Sequence, residues 1–417
     1  MVAVLAACHP DIGVSSQTHL KRSLSLPLLT FYGLGSIIGA GIYVLIGEVV
    51  GKAGMHAPLA FLLAAVIAGF TAFSYAELAS RLPFSAGEAL YVDTAFQRRW
   101  LSAATGWTVV GIGLVSSATI AHGFVGYLRV FVTLPDWLAS GALILVLGSI
   151  AIWGITQSAW LALVTTLLEI GGLLFVLAVS SGSLGTLPQR LPELLPSLDG
   201  QHWVGIFLGA FLAFYAYIGF EDMVNVAEEV KDAPRMLPQA ILIALVASTL
   251  LYVSVSLVAV LSVPAEELAA SSAPLTTVLA THDPQASRHI GLISMLAVIN
   301  GALVQIIMVS RVLYGMANKG LAPRWLAAVH PRTRTPLKAT LLATGAIMAL
   351  TLWLPLVTLA QITSLLTLLI FTAINLALIR IKRRNQPVGR VSYPLWVPIA
   401  GTLLSLIFIA LQALSLT

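Results

Sequence analysis

Charged residues are scarce in this sequence. Lysine and arginine supply 22 residues and aspartate and glutamate 17, so only 9% of the 417 residues are charged. A soluble globular domain uses about 25% charged residues. Hydrophobic residues make up 58% of the chain, and its mean hydropathy is +0.95. The composition therefore excludes a soluble domain and predicts an integral membrane protein.

Cysteine pairs and the common cofactor motifs are also missing. The single cysteine, Cys8, excludes a framework of internal disulfides. The sequence contains no GxxxxGK[ST] loop for nucleotide phosphates and no HExxH zinc motif. Gly39-Ala40-Gly41 does not open a βαβ unit, so a dinucleotide site is excluded as well. We therefore predict no cofactor, no metal and no enzymatic activity, and an energy source other than ATP hydrolysis.

Apolar segments of about 20 residues, the length that crosses a membrane as a helix, recur along the chain. Eleven segments of this kind are predicted: 26–50, 57–80, 101–133, 137–155, 159–181, 203–226, 237–262, 289–317, 337–354, 356–380 and 394–415. They predict an all-α fold. The stretches that connect the apolar segments are too short to form a soluble catalytic domain.

The distribution of basic residues predicts the orientation. With residues 1–25 as a cytoplasmic tail, 18 lysines and arginines fall on the inner side and 4 on the outer side. Cytoplasmic loops of membrane proteins carry such an excess. We expect a multi-pass protein of the cell membrane whose C-terminus is extracytoplasmic after eleven spans. The net charge of +5 then indicates contact with anionic lipid rather than nucleic acid.

Two segments in matching positions are interrupted by glycine. Segment 1 contains Gly39 and Gly41 at its middle, and segment 6 contains Gly219 followed by Glu221 and Asp222. Since segment 6 begins a second set of five, the two sets insert in opposite senses. Paired interruptions of this kind indicate the substrate site of a transporter built from inverted repeats. We predict repeats over 26–181 and 203–380, and an additional helix over 394–417.

In this interpretation, the interruptions expose backbone amide and carbonyl groups that bind the substrate. Free backbone groups are tolerated at membrane depth only where they line a cavity. The amides at the start of a half-helix suit a carboxylate, whereas the carbonyls that end the other half suit an ammonium group. One break therefore offers complementary ends to a zwitterionic amino acid. Packing glycines that let helices approach closely are the alternative for either segment alone.

Several stretches resemble signatures of the amino acid–polyamine–organocation (APC) superfamily of transporters, closest to its cationic and general amino acid branches. They include "GSIIGAGIYVLIGEVVGKAG", "SYAELASRLPFSAGEALYV" and "FYAYIGFEDMVNVAEEVKDAPRMLPQAI". The resemblance implies a leucine-transporter-like fold of two five-helix inverted repeats that works by alternating access around a mid-membrane site. Members usually have twelve or more helices, at least one more than is predicted here.

The resemblance also implies site residues. It places the carboxylate-binding backbone on Gly39, Ala40 and Gly41. It places amine-binding carbonyls near Ile37, Ile38, Phe214, Tyr215 and Tyr217, and it makes Tyr215 an aromatic gate beside Gly219. Glu221 matches the acid that follows this glycine. Asp222, its neighbour, is expected to be a cap or a dipole partner of the half-helix that restarts there. Ser116 is predicted either to line the cavity or to hydrogen-bond to its own helix. Asn300 and Gln305 are each predicted either to contact the substrate or to join helices.

Glu169 lies near the middle of segment 5, at a position where many proton-coupled relatives carry a lysine. A charge at the bilayer centre is costly, so such a residue is a functional candidate by default. Glu169 is predicted to carry a proton between the two sides, or else to stay ionised and attract Na⁺ or a cationic substrate. A structural hydrogen bond to a facing helix is the remaining alternative.

These observations predict a secondary active amino acid transporter that is proton-coupled, with Glu169 and Glu221 as the coupling residues. A carrier or exchanger of polyamines or cationic amino acids is the alternative within transport, and sodium is the alternative ion. A sensor that binds an amino acid without moving it is the alternative outside transport. The predicted partners are a small amino acid or amine, protons and membrane lipid.

Overall fold

The computed structural model describes residues 24–84, 87–153, 159–197, 200–331, 333, 335–384 and 389–414. Most of the predicted tail over 1–25 lies outside these residues. The described chain forms fifteen α-helices: α1 Leu26–Ala53, α2 Ala57–Arg81, α3 Gly87–Phe96, α4 Arg99–Leu128, α5 Asp136–Trp153, α6 Ala159–Val179, α7 Leu187–Leu194, α8 Gly200–Tyr215, α9 Ala233–Ser262, α10 Ala265–Ala270, α11 Pro274–Ala280, α12 Pro284–Asn318, α13 Leu337–Trp353, α14 Leu356–Arg383 and α15 Trp396–Leu414. Short 3₁₀ helices include Gly54–His56 and Phe220–Glu229.

The helices confirm the all-α prediction. Within the described ranges, eight helical stretches are long and apolar enough to cross a membrane. Three shorter apolar helices accompany them: Leu26–Gly39, Asp136–Ile152 and Leu337–Trp353. Each predicted segment coincides with a helix, and segment 6 is divided between α8 and the 3₁₀ helix Phe220–Glu229. The number of membrane crossings stays a prediction.

One boundary differs from the prediction for a clear local reason. Segment 8 was expected to begin at 289, whereas α12 begins at Pro284. The Asp283 side chain accepts a hydrogen bond from the Gln285 amide at 2.8 Å, and proline occupies the first helical position. An aspartate cap followed by proline is a helix start that hydropathy alone does not detect.

The first span is broken where the sequence predicts it. Gly39 has φ −25° and ψ −128°, which lies outside helical geometry, while the residues on either side remain helical. The break divides α1 into a half that begins at Leu26, which is predicted to be the inner half, and a half that ends at Ala53, which is predicted to be the outer half. Because glycine has no Cβ, the chain leaves helical dihedrals here at little steric cost.

The sixth span is also broken. α8 ends at Tyr215, Gly219 adopts φ +129°, and a 3₁₀ helix continues from Phe220. A Cβ at Gly219 would lie 2.3 Å from the Ser36 carbonyl oxygen, and a Cβ at Gly41 would lie 2.4 Å from Cα of Ala216. The backbones of the two breaks are therefore packed directly against each other.

A buried ionic cluster fixes the end of the molecule that carries most of the basic residues. Glu77 in α2 is fully buried and contacts the Arg81 guanidinium at 2.6 Å and the Lys382 ammonium at 2.7 Å. Its carboxylate also accepts the backbone amide of Tyr393 at 2.8 Å. Glu77 thereby ties α2 to α14 and to the segment that leads into α15.

Candidate functional site

A cavity of about 50 Å³ lies between the two helix breaks. Three helices besides the broken spans, α4, α6 and α12, supply side chains to its wall, and the backbone of both breaks completes it. The lining residues are Tyr32, Gly35, Ser36, Ile37, Gly39, Gly41, Ser116, Ile120, Thr166, Tyr215, Ile218, Asp222, Asn300, Gly301, Val304 and Gln305. We call this space the central cavity. Its walls combine backbone groups, amides and hydroxyls with a few apolar side chains.

One hydroxyl group holds the two breaks together. The Tyr252 hydroxyl, from α9, lies 2.8 Å from the Ile37 carbonyl oxygen in the first break and 3.0 Å from the Ala216 carbonyl oxygen in the second. Tyr252 is completely buried. The sequence reasoning did not find this residue, because a tyrosine within an apolar span carries no signal of what its hydroxyl contacts.

The central cavity is closed on one side by Tyr215. The Tyr215 hydroxyl lies 2.9 Å from the Ser116 hydroxyl of α4, and its side chain is only 5% exposed. This contact joins the sixth span to the third, across the cavity. Tyr215 thus lies on the wall of the cavity at the end of α8, and its role as a gate stays a prediction.

The opposite side leads into a larger cavity of about 680 Å³, which shares Tyr32, Asp222 and Val304 with the central cavity. Its wall also carries Arg99, Arg311 and Lys319. We call it the inner vestibule, since these basic residues belong to the face predicted to be cytoplasmic.

The predicted substrate-binding residues divide into two groups. Ile37, Gly39, Gly41 and Tyr215 line the central cavity. The others lie next to it: Phe214 packs on Phe371 with ring centroids 5.5 Å apart, Tyr217 packs on Tyr252 at 5.2 Å, Ile38 is fully buried, and Gly219 meets Ser36. The side chain of Ala40 lies outside the described part of the structure. Substrate binding by these residues stays a prediction.

Glu169 is buried in α6, with 1% of its surface exposed. Neither carboxyl oxygen has a hydrogen-bond partner among the described residues. Its backbone carbonyl accepts the Tyr43 hydroxyl, and the Asn300 side chain of α12 faces its carboxyl group. Asn300 itself lines the central cavity. A buried carboxyl group without an ion pair is thus placed one side chain away from the cavity.

The two acids of the sixth span differ in their surroundings. Glu221 folds back and accepts the Gly219 amide at 2.8 Å. Asp222 makes no side-chain cap but lies in the first turn of the 3₁₀ helix, the position of a dipole partner, and it also lines both the central cavity and the inner vestibule. Glu221 therefore makes the local contact with the backbone of the break, and Asp222 is the acid that lines the cavity.

Other polar side chains complete the cavity wall. Ser116, Asn300 and Gln305, whose roles the sequence left open, all line it. The Gln305 side-chain oxygen is buried and has no partner among the described residues, so it remains a free acceptor. Thr166 lines the cavity too and donates to the Phe31 carbonyl oxygen at 3.2 Å. Tyr32 and Thr166 carried no signal in the sequence, because their direction depends on how each helix is rotated.

Known proteins match most of the chain. The model of the family described as "Amino acid permease" matches residues 24–416. The chain belongs to the amino acid permease family. This result confirms the predicted resemblance to the APC superfamily.

Three relatives illustrate the range of the family. The branched-chain amino acid permease BcaP of Bacillus subtilis (strain 168) is 30% identical over 397 residues, which cover 89% of this chain and 83% of that permease. The vacuolar cationic amino acid transporter 2 of Arabidopsis thaliana is 31% identical over 389 residues, or 88% of this chain and 61% of the relative. Cationic amino acid transporter 4 of Mus musculus is 30% identical over 398 residues, or 89% and 62%. This chain thus spans about three fifths of the length of those two cationic transporters.

Proposed function

We propose that this permease is a secondary active amino acid transporter of the cell membrane that works by alternating access. The observation that carries the proposal is the meeting of two broken spans at one small polar cavity. Its amides and carbonyls suit the carboxylate and the ammonium group of an amino acid. The matching breaks also support the assignment of 26–181 and 203–380 as inverted repeats.

The contacts around the central cavity support an inward-facing state. Tyr215 and Ser116 close one side, whereas Asp222 lies at an open junction with the inner vestibule. Alternating access then requires the Tyr215–Ser116 contact to open while the vestibule closes. The N-terminus is cytoplasmic in this proposal.

Uptake into proteoliposomes tests the transport proposal. We expect labelled amino acids to accumulate when a pH gradient is imposed, and to equilibrate without accumulating in its absence. Binding of an amino acid without flux would support the alternative of a sensor. Neither binding nor flux for any amino acid or amine would contradict the proposal.

Glu169 is the residue that we propose for proton coupling. Its carboxyl group is buried, has no ion pair among the described residues and faces a cavity residue, Asn300. Glu169→Gln keeps the shape of the side chain but cannot release a proton. We expect this variant to exchange substrate across the membrane while losing accumulation driven by the pH gradient. The exposed Glu267, replaced by glutamine, is the matched control and should accumulate substrate as the wild type does.

The result for Glu169→Gln also separates the coupling alternatives. Loss of affinity for cationic substrates, with the pH dependence retained, would show that Glu169 attracts a cation instead. A response to a sodium gradient rather than to a pH gradient would identify sodium as the coupled ion. Full accumulation by the variant would exclude Glu169 from coupling and leave Glu221 as the predicted acid.

A transporter of cationic amino acids or polyamines is the second candidate, and Asp222 favours it. Its carboxyl group lines both the central cavity and the inner vestibule, where a basic side chain would extend from the site. A hydrogen bond to a charged group contributes about 1.5–3 kcal/mol. Asp222→Asn should then weaken lysine uptake about tenfold or more and leave leucine uptake nearly unchanged. Equal effects on both substrates would contradict this candidate.

A further inference from the structure

Two histidines from different elements face each other in a cavity that is separate from the central cavity. His56 ends the 3₁₀ turn that follows α1, and His202 lies in the first turn of α8. Their ring centroids are 5.0 Å apart, with the ring planes inclined by 43°. Both side chains line a cavity of about 690 Å³ on the face predicted to be outside, which we call the outer cavity.

The His56 side chain is buried and has a ring nitrogen without a hydrogen-bond partner among the described residues. Its side chain is 9% exposed, and its Nε2 is buried without a hydrogen-bond partner in the described chain. Buried polar atoms of native proteins are almost always bonded. A nitrogen kept free beside a second imidazole indicates that something else is to be bound there.

His202 is oriented in the manner of a metal ligand. Its Nδ1 lies 3.0 Å from the Ser197 hydroxyl, and the Ser197 carbonyl oxygen accepts the Trp203 indole N–H at 3.2 Å. Metal-binding histidines generally use one ring nitrogen for such a bond, which fixes the ring and directs the other nitrogen to the metal. In this arrangement Nε2 of His202 would be the nitrogen directed to the metal.

We propose that His56 and His202 form a binding site for a divalent transition metal, such as Zn²⁺, on the outer face. Zn–N bonds are about 2.0–2.1 Å long, so two imidazoles on one tetrahedral ion place their ring centroids roughly 5 Å apart. The observed separation matches this value. Imidazole nitrogens select Zn²⁺, Ni²⁺ and Cu²⁺ over Mg²⁺ and Ca²⁺, which prefer oxygen ligands.

The remaining ligands are supplied by water. Among the residues that the structure describes, no group of three or more His, Cys, Asp or Glu side chains could hold a metal ion. Glu266 lines the same cavity and offsets the charge of a dication, whereas Glu193 is already paired with the Arg190 guanidinium at 3.0 Å and Lys52 on the wall opposes the ion. The site is therefore a two-histidine site of moderate affinity.

The position of the site gives metal binding a mechanical consequence. His56 follows the outer half of the first span, and His202 begins the outer half of the sixth. These halves already pack closely, since a Cβ at Gly205 would lie 2.6 Å from the Lys52 carbonyl oxygen. A bound ion would join the two outer halves and stabilise their contact.

Calorimetric titration of the purified protein with ZnCl₂, after removal of any polyhistidine tag, tests the proposal. We expect one Zn²⁺ per chain for the wild type and at least a tenfold loss of affinity in His56→Gln and in His202→Gln. Ser197→Ala should weaken binding about tenfold, because it releases the His202 ring. His289→Gln removes another exposed histidine and serves as the matched control, with unchanged affinity.

The melting temperature provides an independent measurement. Zn²⁺ should raise it for the wild type and for His289→Gln, but not for His202→Gln, whose exposed side chain can be replaced without disturbing the fold. Mg²⁺ should have no effect on any of them. Binding by His202→Gln that equals the wild type would overturn the proposal. Neither measurement involves transport, so the outcome is independent of the proposed function.

Discussion

At the scale of single residues, one side-chain group, the Tyr252 hydroxyl, contacts both helix breaks. It contacts the Ile37 and Ala216 carbonyl oxygens at 2.8 and 3.0 Å. Tyr252→Phe leaves these buried carbonyls without that donor, which costs about 1–3 kcal/mol. We expect a lower melting temperature and, because Ile37 lines the cavity, about a tenfold rise in the KM for uptake.

Tyr217 provides the matched control for this prediction. Its ring packs on Tyr252 at 5.2 Å. Its buried hydroxyl makes no close hydrogen bond among the described residues and faces only the side chain of Thr249, so unlike Tyr252 it contacts neither break. Removing an unpaired buried hydroxyl is nearly neutral or stabilising. Tyr217→Phe should therefore match the wild type in both measurements. Equal behaviour of the two variants would contradict the role assigned to Tyr252.

The neighbouring acids Glu221 and Asp222 show where residue-level prediction ends. The sequence locates two acids directly after Gly219, and helical spacing indicates that they cannot face the same way. Which of them faces the cavity depends on the turn from Ala216 to Gly219 and on the 3₁₀ geometry that follows. No local pattern encodes that rotation, so the structure was needed to place Asp222 on the cavity.

At the scale of elements, the break in the sixth span depends on Gly219. Its φ of +129° is a conformation that side chains disfavour, and an added Cβ would lie 2.3 Å from the Ser36 carbonyl oxygen. The backbone strain alone costs about 1–3 kcal/mol, and the contact with Ser36 would separate the two breaks. We expect Gly219→Ala to lower the melting temperature and to reduce substrate binding strongly, as measured by a thermal-shift assay with and without amino acid.

Gly345 offers a comparison within the same molecule. It lies inside α13, and an added Cβ would meet no atom within 4 Å. Alanine stabilises a helix interior by about 0.5–1 kcal/mol relative to glycine. Gly345→Ala should therefore bind substrate normally at an equal or higher melting temperature. If Gly219→Ala also bound substrate normally, the close packing of the breaks would not be required.

The elements also show which parts of the fold can be read from sequence. Hydropathy locates the long spans, because about 20 apolar residues are required to cross the hydrocarbon. It does not locate α3, α7, α10 or α11, which have 6 to 10 residues and lie between spans. The breaks were predictable from paired glycines. The contributions of Thr166 and Tyr252 were not, because spans that are apolar on every side do not reveal their rotation.

At the scale of the whole molecule, the short helix α3 links stability to pH. α3 lies between the second and third spans, and its Glu88 side chain is 6% exposed. The Tyr75 hydroxyl of α2 donates to Glu88 Oε1 at 3.2 Å. Burial raises the pKa of the Glu88 carboxyl above its ordinary value of 4.5, and the Tyr75 hydrogen bond offsets part of this effect. Folding therefore favours the neutral acid.

This linkage predicts a pH-dependent difference between the wild type and Glu88→Gln. Below the ordinary pKa of 4.5 Glu88 is protonated in both folded and unfolded chains, so its stabilisation of the fold is complete. As the pH rises toward the raised pKa, the unfolded chain loses the proton first and that stabilisation is lost.

Glutamine cannot ionise and still accepts the Tyr75 hydroxyl. The melting temperature of the wild type should thus fall relative to that of the variant as the pH rises above 4.5, whereas the exposed-site control Glu267→Gln should follow the wild type. A constant difference between wild type and Glu88→Gln over this range would exclude Glu88 as the linked group.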